Sequence, residues 1–483
     1  MLYESLADDL AQQIQTGVFR PGDRMPSVRK LAEQQRVSIS TAVSAYQHLE
    51  TQGLIFPRAK SGFYVSLPLI EQRLMPAPAP TLGLKPTQLS MSDTIAEIFR
   101  KTRDPNCLHF DLAVPHVKFQ PAVQLKAAAN RVVRHGFEQS LNLSASPGEL
   151  ELRRLIAQRM TTQGSQLLPD DVVITNGCQE AVLIALQAVT RAGDVVAVEM
   201  PCYYGFLQAL ESLGLKVVSV ATDAIHGLDV GALEKVVEKW SVKACLCSPN
   251  FSNPTGARMP DKEKRALLNL ARKYDFVIVE DDIFGELGHE GTRPQSLHAM
   301  ANQLARKNRR DASLMSRIIY CSAFSKSLSP GLRLGWVVAG DQRLRVMERQ
   351  RATTTGTSSL TQLQVIDYLK SGHYDKHLLR VRAQYQRNLQ RAMRVIMEAF
   401  PEGTQATQPQ GGFITWLSLP AEGVDASTLF QRALDDNICF VPGEVFGLAR
   451  LRHCLRLSVA QPWSEEIEGG LRHLGHLAHG LTA

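Results

Sequence analysis

Long apolar stretches are absent from this chain of 483 residues. A membrane-crossing helix needs roughly 18 or more consecutive apolar residues, and no such uncharged run occurs, so we expect no membrane span. The first residues, Met1-Leu2-Tyr3-Glu4-Ser5, also lack the basic flank and apolar segment of a secretory signal. We therefore expect a cytoplasmic protein.

Cysteine is sparse and scattered, with eight residues in the whole chain. Cys245 and Cys247 form a C-x-C pair inside an apolar run, but neither a second pair nor a histidine cluster stands at the spacing of metal ligands. The cysteines thus predict free, buried thiols, as is usual in a reducing cytoplasm, and they predict no metal site.

Positive charge is only modestly in excess, with a net charge of +7 and an isoelectric point near 9.0. Such a balance permits nucleic-acid binding, but it is also common among proteins that bind none. A mean hydropathy of −0.12 is typical of a globular protein, and 483 residues exceed what one simple core holds. We expect two or three domains.

Three regions differ in composition, and they predict the domain boundaries. Residues 1–66 carry closely spaced helical signals and one hairpin signal, whereas residues 67–90 include alternating prolines at 76–80. Alternating proline favours extended polyproline geometry, which suits a linker between two folded bodies, although a surface loop within one domain is the alternative. Residues 91–483 form the third region, with about 350–483 as its C-terminal subdomain.

The first region shows the periodicity of three short helices and a hairpin. The predicted core positions are Leu6, Leu10 and Ile14 in the first helix, Val28, Leu31 and Ala32 in the second, and Val43, Tyr46 and Leu49 in the third, which runs from about Ser40 to Gln52. In the hairpin, Leu54-Ile55-Phe56 and Phe63-Tyr64-Val65 flank a turn that contains Pro57. This order is that of a winged helix-turn-helix, whose third helix enters the major groove of DNA.

Groups that suit a DNA backbone gather in the same region. Ser27 can cap the second helix, and hydroxyl and N–H groups at the start of the third favour phosphates. Residues 1–65 hold seven basic and six acidic residues. Five of the basic residues lie between Arg20 and Arg36, so one face of this region can be basic. The candidate DNA-binding residues are Ser27, Arg29, Lys30, Ser38, Ser40, Thr41, Arg58, Lys60 and Gly62.

The segment from Pro21 to Ala32, the pair Val37-Ser38 and the ending around Gly53 resemble the GntR-type DNA-binding domain. The resemblance implies a double-stranded DNA operator as a partner. GntR-type domains usually carry Arg after the Ser that opens the recognition turn, and here that residue is Ile39. This departure predicts an altered operator or weaker base readout. A helix-turn-helix used only for protein contacts is the alternative.

Beyond Leu108 the pattern is that of an α/β domain. Short β-branched runs alternate with longer helical patterns, which indicates a mainly parallel sheet covered by helices. The runs are residues 172–175, 194–198, 244–247, 276–279 and 318–321. Ligands of such open sheets bind beyond the carboxyl ends of the strands, so the polar groups that follow these runs are the candidate site.

The strongest local signal follows the fifth run, where Lys326 stands among small hydroxylated residues and Arg333 comes shortly after. A lysine in this position can form a Schiff base with an aldehyde cofactor when burial and nearby cations lower its basicity. Ser325 and Arg333 can pair with a phosphate. By itself, a lysine in a Ser/Gly loop is usually a solvated turn, so the other segments decide.

Five other segments supply that context. Asn253 lies in an Asn-Pro-Thr-Gly turn after the third run, and a carboxylate of the segment 280–282 could pair with a protonated pyridine nitrogen. The segment 175–180 opens a helix whose N–H groups suit an anion. Tyr203 could stack on a flat ring, and Arg456 could hold a substrate carboxylate bidentately.

Together and in this order, these segments resemble the fold-type I aminotransferases over Leu108 to Ala483, and the fusion with a GntR-like head resembles the MocR subfamily. The resemblance implies an α/β fold with a small C-terminal α+β subdomain, pyridoxal 5′-phosphate as cofactor, and a homodimer. It also implies a role for each matching residue. Lys326 carries the internal aldimine, Asp281 contacts the pyridine nitrogen, Asn253 lies near the phenolic oxygen, Tyr203 stacks on the ring, Cys178, Gln179, Ser325 and Arg333 bind phosphate, and Arg456 binds an amino-acid carboxylate.

Three hydroxyl groups that the resemblance leads us to expect are missing. Ile283 stands where the subfamily usually has Tyr, two residues after Asp281, and Leu143 stands where relatives have a Tyr that reaches the partner subunit's phosphate. Ala323 replaces a more usual Thr. We expect looser cofactor binding or altered aldimine electronics, while Lys326 still forms the aldimine.

Three functions remain open from the sequence. In the first, a transcription regulator senses an amino compound that exchanges at Lys326 and alters the DNA affinity of the head. In the second, the chain is an active aminotransferase whose head is accessory. In the third, the sheet domain serves only for dimerisation. The missing hydroxyl groups favour regulation, and the intact Lys326 and Asp281 are compatible with residual transaminase activity.

Overall fold

A computed structural model describes most of the chain as two compact units, Met1–Leu74 and Met75–Ala483. The described residues are 2–16, 18–19, 23–51, 54–58, 62–65, 106–289, 291, 293–420, 424–447 and 451–482. The expected linker at 67–90 lies outside them, so the domain boundaries stay a prediction.

The first unit contains three helices, α1 (Leu2–Gln15), α2 (Val28–Gln34) and α3 (Ile39–Thr51), followed by the strands β1 (Ile55–Arg58) and β2 (Gly62–Val65). The helix α3 begins and ends within one residue of the predicted range from Ser40 to Gln52. Their buried side chains include Leu6, Leu10, Leu31, Ala32, Tyr46 and Leu49, and they form one core with Ile55 and Val65. The predicted winged helix-turn-helix order is confirmed.

One predicted core position in α3 is wrong. Val43 is exposed, and the core face consists of Ala42, Ala45, Tyr46 and Leu49. The spacing of Val43, Tyr46 and Leu49 fits a helical stripe, but the stripe that packs begins at Ala42, one residue before Val43. Small alanines let α3 approach its neighbours closely, and the Tyr46 hydroxyl donates to the Pro26 carbonyl at 2.6 Å.

The hairpin is longer than predicted. Pro57 was expected in the turn, but it lies in β1 opposite Phe63, and Arg58 pairs with Gly62. A two-stranded ribbon has free edges, where the missing N–H of proline is tolerated. Residues 23–25 add a short third stretch, because Met25 N donates to Phe63 O and Val65 N donates to Asp23 O. Lys60 and the side chain of Arg58 lie outside the described part.

The second unit is built on a mixed sheet of eight strands. The strands of the whole unit in chain order are β3 (Leu108–His109), β4 (Val172–Thr175), β5 (Val195–Met200), β6 (Lys216–Asp223), β7 (Gly227–Leu228), β8 (Val242–Cys247), β9 (Val277–Asp281), β10 (Ile318–Ala323), β11 (Gly335–Val338), β12 (Gln405–Ala406), β13 (Ile414–Ser418), β14 (Ile438–Cys439), β15 (Val441–Pro442) and β16 (Cys454–Ser458). All five runs that the sequence predicts as strands are strands.

The large sheet has the strand order β4-β11-β10-β9-β8-β5-β6-β7. The central pairs from β10 through β9, β8 and β5 to β6 are parallel, while β11 is antiparallel to both of its neighbours. Helices cover the sheet on both faces, which is why every residue of β10 is buried. Side chains alternate between two cores, since Val196 and Val198 pack in one and Ala197 packs in the other.

Amphipathic helices connect and cover these strands. They are Ala122–His135, Phe137–Ser140, Leu150–Thr162, Cys178–Val189, Tyr204–Ser212, Val230–Lys239, Asp261–Tyr274, Leu297–Lys307, Arg343–Thr353, Ser359–Lys370, His373–Ala399, Ala426–Asp435 and Glu465–Thr482. The helix Asp261–Tyr274 shows why they form: it buries Leu267, Leu268 and Ala271 on one side, and it ends at Asp275, which has the left-handed φ of 60°. Within the described residues, no helix is long and apolar enough to cross a membrane.

The C-terminal part forms a second, smaller sheet of strand order β12-β13-β16-β15. It is tied to the start of the unit, because β14 pairs in parallel with β3 and Phe110 N donates to Cys439 O at 2.7 Å. The expected α/β fold with a small C-terminal α+β part is confirmed. All eight cysteines are buried and none is in a disulfide, as predicted.

Candidate functional site

A cavity of about 210 Å³ lies beyond the carboxyl ends of the parallel strands. All eight residues that the sequence predicts as cofactor-binding line it: Cys178, Gln179, Tyr203, Asn253, Asp281, Ser325, Lys326 and Arg333. They come from five different strand ends, since β4, β5, β8, β9 and β10 each run toward the cavity. Because these strands are parallel, they all end at the same edge of the sheet. Motifs that are far apart along the chain therefore meet in one site.

Lys326 is the only lysine among the cavity-lining residues in the described part of the chain. It follows β10, and its Nζ donates to the Ala113 carbonyl at 2.6 Å. Burial, assisted by the positive charge of Arg456, lowers the pKa of Lys326 to about 8. An amine with this pKa is a far better nucleophile near neutral pH than an ordinary lysine.

Asp281 is the last residue of β9 and is buried. Its Oδ1 accepts hydrogen bonds from the Cys178 thiol and the Ile283 N–H, both at 3.1 Å. Burial raises the pKa of Asp281 to about 6, and these two hydrogen bonds limit the rise. The carboxylate is therefore ionised at neutral pH and can pair with a protonated ring nitrogen.

The start of the helix Cys178–Val189 forms the anion-binding end of the cavity. Its N-cap is Gly177, which has a φ of 93° and no capping side chain. A Cβ at Gly177 would lie 3.1 Å from Nη2 of Arg333, so glycine lets the Arg333 guanidinium approach the helix terminus. Arg333 itself donates to the Asn176 carbonyl at 2.9 Å. Free N–H groups, the helix dipole and a guanidinium together suit a phosphate.

Two of the residues expected to bind phosphate use their side chains in contacts within the protein. The thiol of Cys178 is hydrogen-bonded to Asp281. The side-chain amide of Gln179 donates to the Gly205 carbonyl at 2.6 Å. Ser325 is buried and lines the cavity, as a phosphate partner would.

Arg456 lies on β16 and is 1% exposed, which makes it one of the largest fully buried side chains in the described residues. Its Nη1 donates to Asn253 Oδ1 at 3.2 Å, and its Nη2 donates to the Asp111 carbonyl. Its Nε has no partner in the described part of the protein. Arg456 is not among the residues that line the cavity, and it reaches the cavity wall through Asn253. A buried guanidinium with an unused donor suits a carboxylate.

The departures from the family pattern fall in different places. Ile283 and Phe284 line the cavity, and the Phe284 ring centroid is 5.8 Å from Lys326 Nζ. Leu143 is 77% exposed on the surface of the unit. Ala323 is buried at the end of β10.

Several lining residues were missed by the sequence analysis. Ser248 and Asn250 follow β8, and Asn250 Nδ2 donates to Asp282 Oδ1 at 2.9 Å. Their position after a predicted strand was a usable signal. Val114 and the neighbouring Ala113 carbonyl carried no such signal, because they reach the cavity from the segment after β3 only through tertiary packing.

In the first unit, the candidate DNA-binding residues gather around two helix starts. Ser27 caps α2 by accepting from Lys30 N at 3.3 Å, and Arg29 and Lys30 are exposed. Ser38 caps α3 by accepting from Thr41 N at 3.0 Å, and its hydroxyl lies 2.7 Å from that of Ser40 and 2.8 Å from that of Thr41. Gly62 has a φ of 105°, which favours glycine there.

Comparison with known proteins agrees with both units. A family model described as aminotransferase class I and II matches residues 110–474, and one described as bacterial regulatory proteins, gntR family, matches residues 2–65. The chain belongs to the MocR-type regulators, which join these two domains. Pyridoxal phosphate is the cofactor that the aminotransferase family implies.

Two known regulators are similar to this chain over almost its whole length and theirs. It is 36% identical to the uncharacterized HTH-type transcriptional regulator YjiR of Escherichia coli K12, over 99% of this chain and 98% of that protein. It is also 36% identical to the uncharacterized regulator YdcR of the same organism, over 98% of each chain.

Among solved structures, the second unit resembles LysN, the alpha-aminoadipate aminotransferase of Thermus thermophilus in complex with N-(5′-phosphopyridoxyl)-L-leucine. The TM-score is 0.73 at 32% identity, covering 81% of this chain and 95% of that one.

Proposed function

We propose that this GntR-headed regulator senses a small amino compound at Lys326 and converts its binding into a change of DNA affinity. One observation carries the proposal. The amine of Lys326, with its pKa lowered to about 8, lies in a cavity where all eight predicted cofactor-binding residues meet.

The residues present fit pyridoxal phosphate. When bound through Lys326, this cofactor supplies an aldehyde carbon at which amines exchange and a ring that withdraws electrons. The first turn of the helix Cys178–Val189 and Arg333 would hold its phosphate, Asp281 would pair with its protonated ring nitrogen, and Tyr203 would pack on the ring. Asn253 lies beside Arg456 and would orient the ring edge and the incoming ligand.

Arg456 defines the class of effector. Its unpartnered Nε is buried, so a ligand that brings a carboxylate regains a hydrogen bond that the protein alone leaves unmade. A neutral amine of the same size lacks this gain. The effector is therefore an amine that carries a carboxylate.

Regulation requires that the effector binds two conformations of the protein unequally. The head supplies the output, with an operator in double-stranded DNA contacted by α3 and by the basic residues Arg29 and Lys30. We propose that the protein acts as a homodimer, since large apolar side chains at Phe137, Leu141 and Leu143 are exposed on the second unit.

The test is a spectral titration of the protein reconstituted with pyridoxal phosphate. Amino acids and matched amines without a carboxylate are added, and the visible absorption band is followed with and without bound operator DNA. Wild-type protein is expected to respond to carboxylate-bearing amines, with an affinity that depends on DNA. An absent band, or a band that persists in Lys326→Ala, contradicts the proposal.

A second function, amino-group transfer with many turnovers, is favoured by one specific observation. Lys326 and Asp281 are both intact and line the same cavity, and they are the groups needed to shuttle a proton and hold the ring charge. Incubation with an amino-acid panel and a keto-acid acceptor separates the two functions. Turnover at about 1–10³ per second identifies an enzyme, whereas at most one equivalent of product identifies a sensor.

A further inference from the structure

The outer face of α3 is unusual for a helix that meets DNA, because large apolar side chains occupy it. Ile39 is 56% exposed and Val43 is 36% exposed. Residues four apart lie on the same face of a helix, so the two side chains form one apolar step at the start of α3. In the described part of the first unit, the only other large apolar side chain with comparable exposure is Val18.

The buried face of α3 explains why Ile39 and Val43 lie outside the core. Ala42, Ala45, Tyr46 and Leu49 are all buried in the core of the head. Ser38 fixes the start of the helix by capping it through Thr41 N. The apolar step therefore lies next to the N-terminal turn of the recognition helix, on the side that the core leaves free.

Neither side chain can donate or accept a hydrogen bond, which restricts what the step can contact on DNA. Phosphates and the polar edges of guanine, cytosine and adenine would lose solvation against it without compensation. The major groove offers one apolar feature, the C5-methyl group of thymine. Its contacts with apolar side chains distinguish thymine from cytosine at the same position.

A protein partner fits this face less well. Two side chains make a patch far smaller than the roughly 800 Å² per partner that a stable protein interface buries. Exposed basic side chains lie nearby in sequence, at Arg29 and Lys30 of α2, and the hydroxyl-bearing residues Ser38 and Ser40 are the chain neighbours of Ile39. Such a polar, basic frame is typical of a surface that lies on a phosphate backbone.

We infer that Ile39 and Val43 make the head selective for thymine, by packing on thymine methyl groups in the major groove. The inference rests on the proposed DNA-binding function and deepens it by naming the bases that are read. Residues four apart rise about 6 Å along a helix, which corresponds to about two base-pair steps of 3.4 Å. Two thymines about two steps apart are the expected target.

The experiment uses the full-length protein reconstituted with pyridoxal phosphate. Duplexes are selected from a randomised pool, and each thymine of the enriched sequence is then replaced singly by uracil, which removes only the methyl group. Dissociation constants are measured at fixed salt. Burial of one methyl group corresponds to about a fourfold change in affinity, so one or two replacements are expected to weaken binding by about that factor.

Variants assign the effect to the helix. Ile39→Ala and Val43→Ala should each abolish the sensitivity to uracil at one position, and Ile39→Val should keep part of it. Ile39→Arg should move the preference toward guanine, because Arg donates to two guanine acceptors. Val18→Ala, which removes another exposed apolar side chain, is the matched control and should leave every uracil effect unchanged.

The outcomes separate the inference from the function on which it rests. Salt-dependent DNA binding without any uracil effect, or with uracil effects that persist in the double variant I39A/V43A, overturns thymine selection and leaves DNA binding intact. No salt-dependent binding to any duplex overturns the DNA-binding function itself. Capture of a protein by the Ile39 face without an effect on DNA also overturns the inference.

Discussion

Burial acts in opposite directions on the two ionisable groups at the centre of the cavity. It raises the pKa of Asp281 to about 6 and lowers the pKa of Lys326 to about 8, because a low-dielectric site disfavours either charge. Arg456 lowers the pKa of Lys326 further, whereas Asp281 opposes the decrease. Near pH 7 the Asp281 carboxylate is therefore mostly charged. A fraction of the Lys326 amine is neutral, and the neutral form is the one that acts as a nucleophile.

The first prediction concerns the reactivity of Lys326 in the cofactor-free protein. Only the neutral amine reacts with an amine-directed reagent, so the labelling rate should rise with pH and reach half its maximum at about pH 8. Mass spectrometry of the peptide that contains Lys326 measures the rate. Lys326→Met supplies the background. A half-maximum near the ordinary lysine pKa of about 10.4 would show that burial does not tune this amine.

The second prediction concerns the Cys178 thiol, which donates to Asp281. A hydrogen bond to the charged carboxylate lowers its pKa, so Cys178→Ala should raise the pKa of Asp281 above about 6. In the reconstituted protein, the pH at which the visible band changes should move upward. Cys178→Ser keeps a donor and should stay close to wild type. Equal midpoints for the alanine and serine variants would contradict the assignment.

At the scale of elements, the long helix His373–Ala399 is connected to the residue that follows Lys326. The Tyr374 hydroxyl hydrogen-bonds to Ser327 Oγ at 2.7 Å, and His377 Nε2 donates to the Ser327 carbonyl at 2.9 Å. Burial lowers the pKa of His377 to about 4, so its ring is neutral and keeps this N–H. Tyr374 also bonds to Glu286, which pairs with Arg159 at 3.0 Å.

Tyr374→Phe tests this connection. Removal of the hydroxyl group leaves Ser327 and Glu286 each without one buried partner, which should lower the free energy of unfolding by about 1–2 kcal/mol. Denaturant unfolding followed by aromatic fluorescence measures the loss.

The chain offers a matched control in Tyr368→Phe. Tyr368 is equally buried, but its hydroxyl has no hydrogen-bond partner in the described part of the protein. The variant should leave the stability unchanged or raise it slightly, because no buried partner is lost. A similar loss in both variants would mean that packing of the ring, and not the link to Ser327, produces the effect.

At the scale of the whole molecule, the surface between Phe137 and Leu143 carries a concentration of exposed apolar side chains. Phe137, Leu141 and Leu143 are 46%, 70% and 77% exposed. The neighbouring helix Ser359–Lys370 is bound to this segment, since Ser359 Oγ donates to the Asn142 carbonyl at 2.6 Å, and it exposes Leu360. Several exposed large apolar side chains in one segment are a feature of interfaces, which supports the proposed homodimer.

The double variant L141K/L143K should weaken that dimer strongly. Two charges placed in an apolar interface lose solvation without gaining partners, which costs several kcal/mol on association. Sedimentation velocity over a concentration series should show a dimer for the wild type and mainly monomer for the variant. Ile225→Lys changes an exposed apolar residue in the turn between β6 and β7 and should remain dimeric. A monomeric wild-type protein would contradict the proposed homodimer.

The sequence by itself determined most of the elements and the identity of the reactive groups. Local periodicity was enough to predict the five strands and the three helices of the head. The loop with Lys326 could be predicted from its residue types, a lysine among small hydroxylated residues directly after a strand. That a carboxylate of the segment 280–282 serves the site followed in the same way, from its position directly after a buried strand, whereas the choice of Asp281 came from the family resemblance. These signals lie within a few neighbouring residues.

Only the tertiary structure decided which groups share a contact. Cys178 lies 103 positions from Asp281 along the chain, and Arg456 lies 203 positions from Asn253, so no local pattern could pair them. Tertiary packing also decided the exposure of Val43. By its sequence, α3 could bury either of two adjacent stripes, and packing against the rest of the head buried the one rich in alanine. Local patterns specify elements and chemistry, whereas burial and partners depend on how distant elements pack.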